Sequence, residues 1–170
     1  VRPAGVLFCN GTTISTSLSC ASVSSVDYYT GKDLQIGDFN ADGILDLFVR
    51  GNGIRYCTGL TTSLNCTQTS TLSWGTTTTY PGDFDGDGAT DLLAVGSGSA
   101  ILCRGSRVIV DAACKTLSLA TNDIYSLYGS YDTLAGDFNG DGNADIIIVG
   151  LNDMYFCAGP GFVDANNCVK

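Results

Sequence analysis

GDFDGDGATDLL, residues 82–93, sets four aspartates and three glycines directly before an apolar run. Carboxylates packed this closely repel one another, so something must offset their charge. Alternating Asp and Gly is also the composition of a tight turn, because Asp caps its own backbone and Gly supplies unusual dihedrals. The stretch is not unique. GDFNADGILDLFV (37–49) and GDFNGDGNADIIIV (136–149) align with it residue by residue. The first aspartates, Asp38, Asp83 and Asp137, stand 45 and 54 residues apart, and the next cysteine follows each by 19, 20 and 20 residues. Nine residues before each lies an aromatic: Tyr29, Trp74 and Tyr128. Such fixed offsets mark an internal repeat.

Each unit reads as four short strands. The first runs into GDF, the acidic loop follows, and a second strand such as DLLAV leaves it. A third carries one cysteine (AILCRG) and a fourth the next (VIVDAAC). Short apolar runs bounded by Gly, Asn and Asp predict meandering antiparallel sheets. Asp without Glu points away from helix, since all 17 acids are Asp and Asp favours turns and caps. The expected architecture is therefore all-β: tandem four-stranded antiparallel units within a single repeat domain over residues 1–170. A half unit spans 1–23, and full units span 24–69, 70–119 and 120–170.

The eight cysteines fall in pairs, 9 and 20, 57 and 66, 103 and 114, 157 and 168, separated by 11, 9, 11 and 11 residues. Many pairings are formally open, but this repetition favours joining near neighbours: Cys9–Cys20, Cys57–Cys66, Cys103–Cys114 and Cys157–Cys168. A zinc site would need CxxC-type spacing or histidine, and there is no histidine. Each bridge would staple strands three and four, worth about 2–3 kcal/mol in the chain-entropy picture. Four disulfides imply an oxidising, extracellular compartment. Asn10-Gly11-Thr12 and Asn65-Cys66-Thr67 are candidate N-glycan acceptors in that setting.

Oxygen-bearing side chains recur at loop positions 1, 3, 5 and 9. They are Asp38, Asn40, Asp42 and Asp46; Asp83, Asp85, Asp87 and Asp91; and Asp137, Asn139, Asp141 and Asp145. A glycine follows position 5 each time (Gly43, Gly88, Gly142). Calcium takes about six to eight oxygens. The alternating side chains could supply them, with the position-7 carbonyl of Ile44, Ala89 or Asn143 as a further ligand. Magnesium fits less well, because it keeps several waters. An EF-hand shares the opening of the motif but requires a bidentate Glu at position 12 and flanking helices; position 12 here is Val49, Ala94 or Ile148. Three Ca²⁺ would take the formal charge from −9 to −3, and the loops hold 10 of the 17 aspartates. The loop with Asp85 in place of Asn is expected to bind most tightly, and Phe39, Phe84 and Phe138 at position 2 are expected to anchor the core.

With those motifs in view, the chain resembles the FG-GAP/VCBS repeat family, including the calcium-binding blades of integrin alpha-subunit propellers. The resemblance covers residues 24–170 and is carried by GDFNADGILDL, GDFDGDGATDL and GDFNGDGNADI. It implies four-stranded β-propeller blades with Ca²⁺ held between the first two strands by the twelve side chains named above. The paired cysteines depart from the family pattern. So does the repeat number, about three and a half where such propellers usually have about seven blades.

Other function classes have little material. A chain of net charge −9 is a poor nucleic-acid binder, and no apolar run reaches the roughly 20 residues of a membrane span. The chain opens at Val1 with no visible signal peptide, and reads as processed. Catalysis lacks His and Glu for proton transfer and, once the cysteines pair, a thiol nucleophile; no catalytic residue is assigned. Two roles remain. The first is a non-catalytic, secreted, calcium-stabilised structural subunit. Its partners are copies of itself, because unclosed stacked repeats expose apolar faces that need caps or partners. Two copies could close a ring, or non-closing contacts could build a filament. The alternatives are an adhesin or lectin module, with Tyr29, Trp74 and Tyr128 stacking on glycans or contacting cell-surface proteins, and a fragment of a longer propeller.

Overall fold

A computed structural model describes residues 6–9, 20–23, 34–51, 53–59, 65–70, 78–96, 99–105, 114–117, 132–149, 154–160 and 168–169. Among these there are fourteen strands and no helix. Strands β1 (Val6–Cys9) and β2 (Cys20–Val23) form a two-stranded ribbon. Sheet 1 follows in the order β3 (Leu34–Gly37), β4 (Asp46–Gly51), β5 (Gly53–Thr58), β6 (Asn65–Ser70). Sheet 2 is β7 (Thr78–Gly82), β8 (Asp91–Gly96), β9 (Ser99–Cys103), β10 (Cys114–Leu117). Sheet 3 is β11 (Asp132–Gly136), β12 (Asp145–Val149), β13 (Met154–Cys157), β14 (Cys168–Val169). Each sheet pairs its strands antiparallel in chain order, so every connection is a hairpin and the contacts within a unit stay local.

Strand parity sorts side chains between the layers. In sheet 2, Leu92, Ala94 and Cys103 lie with Phe39, Phe48 and Tyr56 of sheet 1 in one buried cluster. Leu93, Leu102 and Leu117 turn the other way and lie with Ile146, Ile148, Tyr155 and Cys157 of sheet 3 in a second. The two clusters are apolar layers between consecutive sheets, with each residue of sheet 2 choosing a neighbour by the period of two along its strand, and Leu47, Val49 and Cys57 on the opposite face of sheet 1 are buried as well. Phe39 meets Tyr56 edge-on at 6.2 Å and tilts against Phe48 at 6.3 Å, geometries that add to the simple burial of the rings.

Three cross-strand disulfides, Cys57–Cys66, Cys103–Cys114 and Cys157–Cys168, staple the outer hairpins. In each case the two cysteines are direct register partners. The backbone sets Cys9 opposite Cys20 in the same register; their side chains lie outside the described residues. So do Tyr29, Trp74 and Tyr128, and Asn10. Asn65 begins β6 opposite Thr58.

Consecutive sheets are locked at the acidic loops. The Thr90 N–H donates to the Asp38 carbonyl at 2.8 Å, and the Ala144 N–H to the Asp83 carbonyl at 2.7 Å. In both bonds loop position 8 of one unit reaches position 1 of the unit before. The approach is close enough to demand glycine at the preceding strand end. A Cβ on Gly37 would lie 2.5 Å from Thr90 Cγ2, and one on Gly82 would lie 2.6 Å from the Ala144 Cβ. Between the first strands, the Gln35 side-chain amide donates to the Thr79 carbonyl at 2.9 Å and to its hydroxyl at 3.1 Å.

The expected anchors at position 2 divide. Phe39 and Phe84 are 0% exposed, whereas Phe138 is 46% exposed, because no described sheet follows the third. Gly82→Ala is expected to destabilise the protein by about 1–3 kcal/mol, the cost of overpacking a tight contact. A urea unfolding midpoint unchanged by the substitution would refute that account of the inter-loop contact.

Candidate metal centre

Each acidic loop is wound around its first aspartate. Asp38, Asp83 and Asp137 accept backbone N–H bonds from four and five residues on. The donors are Asp42 and Gly43 at 3.0 and 2.8 Å, Asp87 and Gly88 at 3.1 and 2.9 Å, and Asp141 and Gly142 at 3.1 and 2.9 Å. Position 3 accepts from the position-5 N–H, and position 5 from the position-7 N–H, as in Ala89 to Asp87 at 2.8 Å. These are nested Asx turns, in which short carboxylates or amides satisfy a backbone that forms no ladder. The loops reverse twice through the left-handed region, at position 6 (Gly43, Gly88, Gly142) and also at position 4 (Ala41, Gly86, Gly140).

Position 9 is different in kind. Asp46, Asp91 and Asp145 are 0% exposed. Each accepts an N–H from a glycine two residues past the first cysteine of its unit: Gly59 at 2.7 Å, Gly105 at 2.5 Å and Gly159 at 2.9 Å. The second oxygen of Asp91 and of Asp145 takes the N–H of the position-2 phenylalanine at 2.9 Å. That of Asp46 takes the Tyr56 hydroxyl at 2.6 Å. Position 9 thus clasps the loop to the stapled hairpin. A Cys-x-Gly signature carries the other half of the clasp (CTG, CRG, CAG), and it also occurs as CNG at residues 9–11. That signal was readable in the sequence beside the cysteine spacing.

In the second loop the carboxylate oxygens of Asp83, Asp85 and Asp91 converge within 4.8 Å of one another. Asp87 is not in that group; its carboxylate is turned to the Ala89 N–H. Burial pushes the Asp91 carboxyl up to about 7, with Asp85 and Asp87 adding to it and the N–H donors of Gly105 and Phe84 opposing. Burial, then the neighbouring Asp87, also raises Asp85, while Arg104 pulls it back. In the third loop the N–H of Asn143 and the amide of Asn139 hold the exposed Asp141 below the usual carboxylate range. Burial and the bond to Asp46 push the Tyr56 hydroxyl well above its ordinary range.

The donor set of the second loop is all oxygen and anionic, which suits a hard divalent cation such as Ca²⁺. Asp83, Asp85 and Asp91 would hold it, the position-7 carbonyl of Ala89 being a further oxygen within the same loop. One difference bears on the expected rank of the sites. In the first and third loops the position-3 amide donates to the position-5 carboxylate, Asn40 to Asp42 and Asn139 to Asp141, both at 2.9 Å. Asp85 cannot donate; instead the Arg104 guanidinium sits 3.1 Å from its Oδ2. The extra charge of the second loop is met by a cation in the protein, an offset invisible in the loop motif alone.

Scans of family models, curated proteins and solved structures find no match to this chain.

Two substitutions probe the loops. Ala41 holds a φ of 57° where the other two loops have glycine, and an L-residue there costs about 1–2 kcal/mol. Ala41→Gly is therefore expected to stabilise the protein by roughly 1 kcal/mol after the added chain entropy of glycine is counted, read as a raised urea midpoint. Arg104 is half exposed and screened, so its pair is worth at most about 1 kcal/mol. Arg104→Ala is expected to tighten Ca²⁺ binding at the second loop up to about fivefold, on the same scale. Calorimetric titration showing unchanged or weaker binding would rule out the offset.

Proposed function

We propose that the chain is a non-catalytic, calcium-stabilised repeat protein of the FG-GAP/VCBS type, its units β-propeller blades and its role that of an extracellular structural subunit. The observation that carries this reading is the convergence of Asp83, Asp85 and Asp91 in a loop whose backbone pattern recurs in two further units. A buried carboxylate beside two others is costly without a counter-charge, and a divalent ion supplies one at each repeat. By this reading the first site comprises Asp38, Asn40, Asp42 and Asp46, and the third Asp137, Asn139, Asp141 and Asp145, with the carbonyls of Ile44 and Asn143.

Three disulfides support folding in an oxidising, extracytosolic compartment. Among the described residues no helix is long and apolar enough to cross a membrane. The six cysteines whose side chains are described are all bridged, and the sequence has neither His nor Glu, which favours a scaffold over an enzyme. A stack of small sheets has limited core, and both staples and ions compensate for that.

Calcium at about a hundredfold over Kd would add about 2.7 kcal/mol per site. Excess EDTA is thus expected to lower Tm clearly, re-added Ca²⁺ to restore it, and equal Mg²⁺ to restore less. Identical melting with and without EDTA would remove calcium from the account.

A further inference from the structure

We propose that the outer face of sheet 3 pairs with the same face of a second copy of this chain, giving a two-fold dimer. The proposal goes beyond the scaffold reading by naming a surface and a stoichiometry, and it does not depend on calcium in the loops.

Strand register divides sheet 3 into two faces. Ile146, Ile148, Tyr155 and Cys157 are buried with side chains of sheet 2. The alternate residues turn the other way. Leu134, Ile147, Phe156 and Val169 form one row across all four strands, and Asp132, Val149 and Met154 form the next. On this outer face Leu134 is 52% exposed, Val149 38%, Met154 59% and Val169 67%, and Phe138 at its loop end is 46% exposed. Ile147 and Phe156 are half-buried. Covering the face in two copies removes on the order of 1,000 Å² of surface, the lower bound for a specific interface. An apolar sheet face of this kind packs against a second sheet.

Within the described chain that second sheet has one source. Sheet 2 is covered on both faces. Sheet 1 buries Phe48 and Tyr56 on one face and Leu47, Val49 and Cys57 on the other. Its exposed apolar residues, Leu34, Ile36, Ile44 and Leu45, are confined to β3 and the loop. The four-stranded face left open is that of sheet 3 itself, so the surface of a second copy that can cover it is the same face. A surface that meets itself does so about a two-fold axis, and the contact closes at two copies.

Charge selects the direction of the axis. The exposed Asp137 and Asp141 stand at one end of the sheet. An axis along the strands would set the two acidic loops side by side, where like charges repel. An axis across the strands sets them at opposite ends. That axis follows the row from Leu134 to Val169, so Leu134 meets Leu134 of the other copy. The row of Val149 and Met154 then falls on the loop end of the other copy. Gly136 leaves room there, since a Cβ on it would meet only the Phe138 ring, at 3.5 Å. Each raised end thus meets a bare one. Asp132, the one charged residue in these two rows, approaches the acidic loop of the other copy and opposes the pairing.

The test is sedimentation velocity of the full, disulfide-bonded chain across a concentration series. Wild type is expected to pass from monomer to dimer and to form nothing larger. Leu134→Lys and Leu134→Glu are each expected to stay monomeric, because each sets like charges together at the axis. Their Tm is expected to match that of wild type diluted to monomer. Mixed in equal amounts, the two variants are expected to regain the dimer, because lysine then meets glutamate. Asp132→Asn is expected to favour the dimer severalfold. Should the Leu134 variants lower Tm, Met154→Lys serves in their place and is expected to stay monomeric. A wild type that is monomeric at every concentration gives the face to a further repeat or a different protein and overturns the proposal. Growth beyond the dimer overturns it by showing contact between unlike surfaces. A dimer that survives Leu134→Lys or Met154→Lys, a mixture that stays monomeric, or an Asp132→Asn dimer weaker than wild type does the same. None of these outcomes moves the melting comparison with EDTA, so the calcium reading stands or falls separately.

Discussion

A buried aspartate at the ninth position of each loop is the constraint on which the remainder of the structure depends. Asp46, Asp91 and Asp145 open β4, β8 and β12, the second strands of their sheets, and their carboxylates reach forward to the glycine after the stapled cysteine. One side chain thereby fixes three things: where the loop ends, where the second strand starts, and how the third strand leaves its hairpin. The extra methylene of a glutamate would move the carboxylate off these donors, which gives a physical reason for Asp at position 9 of every loop. At Asp91 desolvation outweighs the N–H donors and raises the carboxyl.

The clasp shapes the unit, and the loop backbone then joins the units. Asp38 and Asp83 are tied by their side chains to the loop interior, and their main-chain carbonyls accept from the next unit. Gly37 and Gly82, directly before them, let the neighbour approach to contact distance. Disulfide, clasp and inter-loop bond thus act at successive distances from the first strand: outer hairpin, sheet base and sheet–sheet seam. Little of this requires long-range chain crossing, so the units can form locally and dock afterwards.

Much of the architecture was legible because the repeat is written in residues with strong local consequences. The GDF run, the apolar five-residue strand and the cysteine spacing each set a strand boundary, and all three sheets follow that order. The three described disulfides join the neighbours that the spacing favoured. What was not legible lies between units. Phe138 has the same motif position as Phe39 and Phe84, yet its exposure is decided by whether another sheet lies over it. Arg104 stands outside the loop in sequence and reaches Asp85 only through the fold. Gly59, Gly105 and Gly159 look like ordinary turn residues until the carboxylate each one serves is seen, although Cys-x-Gly repeats as faithfully as the acidic motif.

On the proposed calcium reading, charge would explain how ions and bridges divide the labour. Ten of seventeen aspartates crowd three loops on a chain of net charge −9, and loops of like sign are brought next to one another by the inter-loop bonds. Without cations that seam would be the least stable part of the molecule, because repulsion acts there between units as well as within them. The disulfides carry no charge and cannot relieve it, although the third-strand cysteine of each stands opposite the residue after position 9. Reduction and chelation therefore act on different links. Losing the bridges would loosen hairpins one at a time, whereas on the proposed calcium reading losing the ions would weaken the seams between units together.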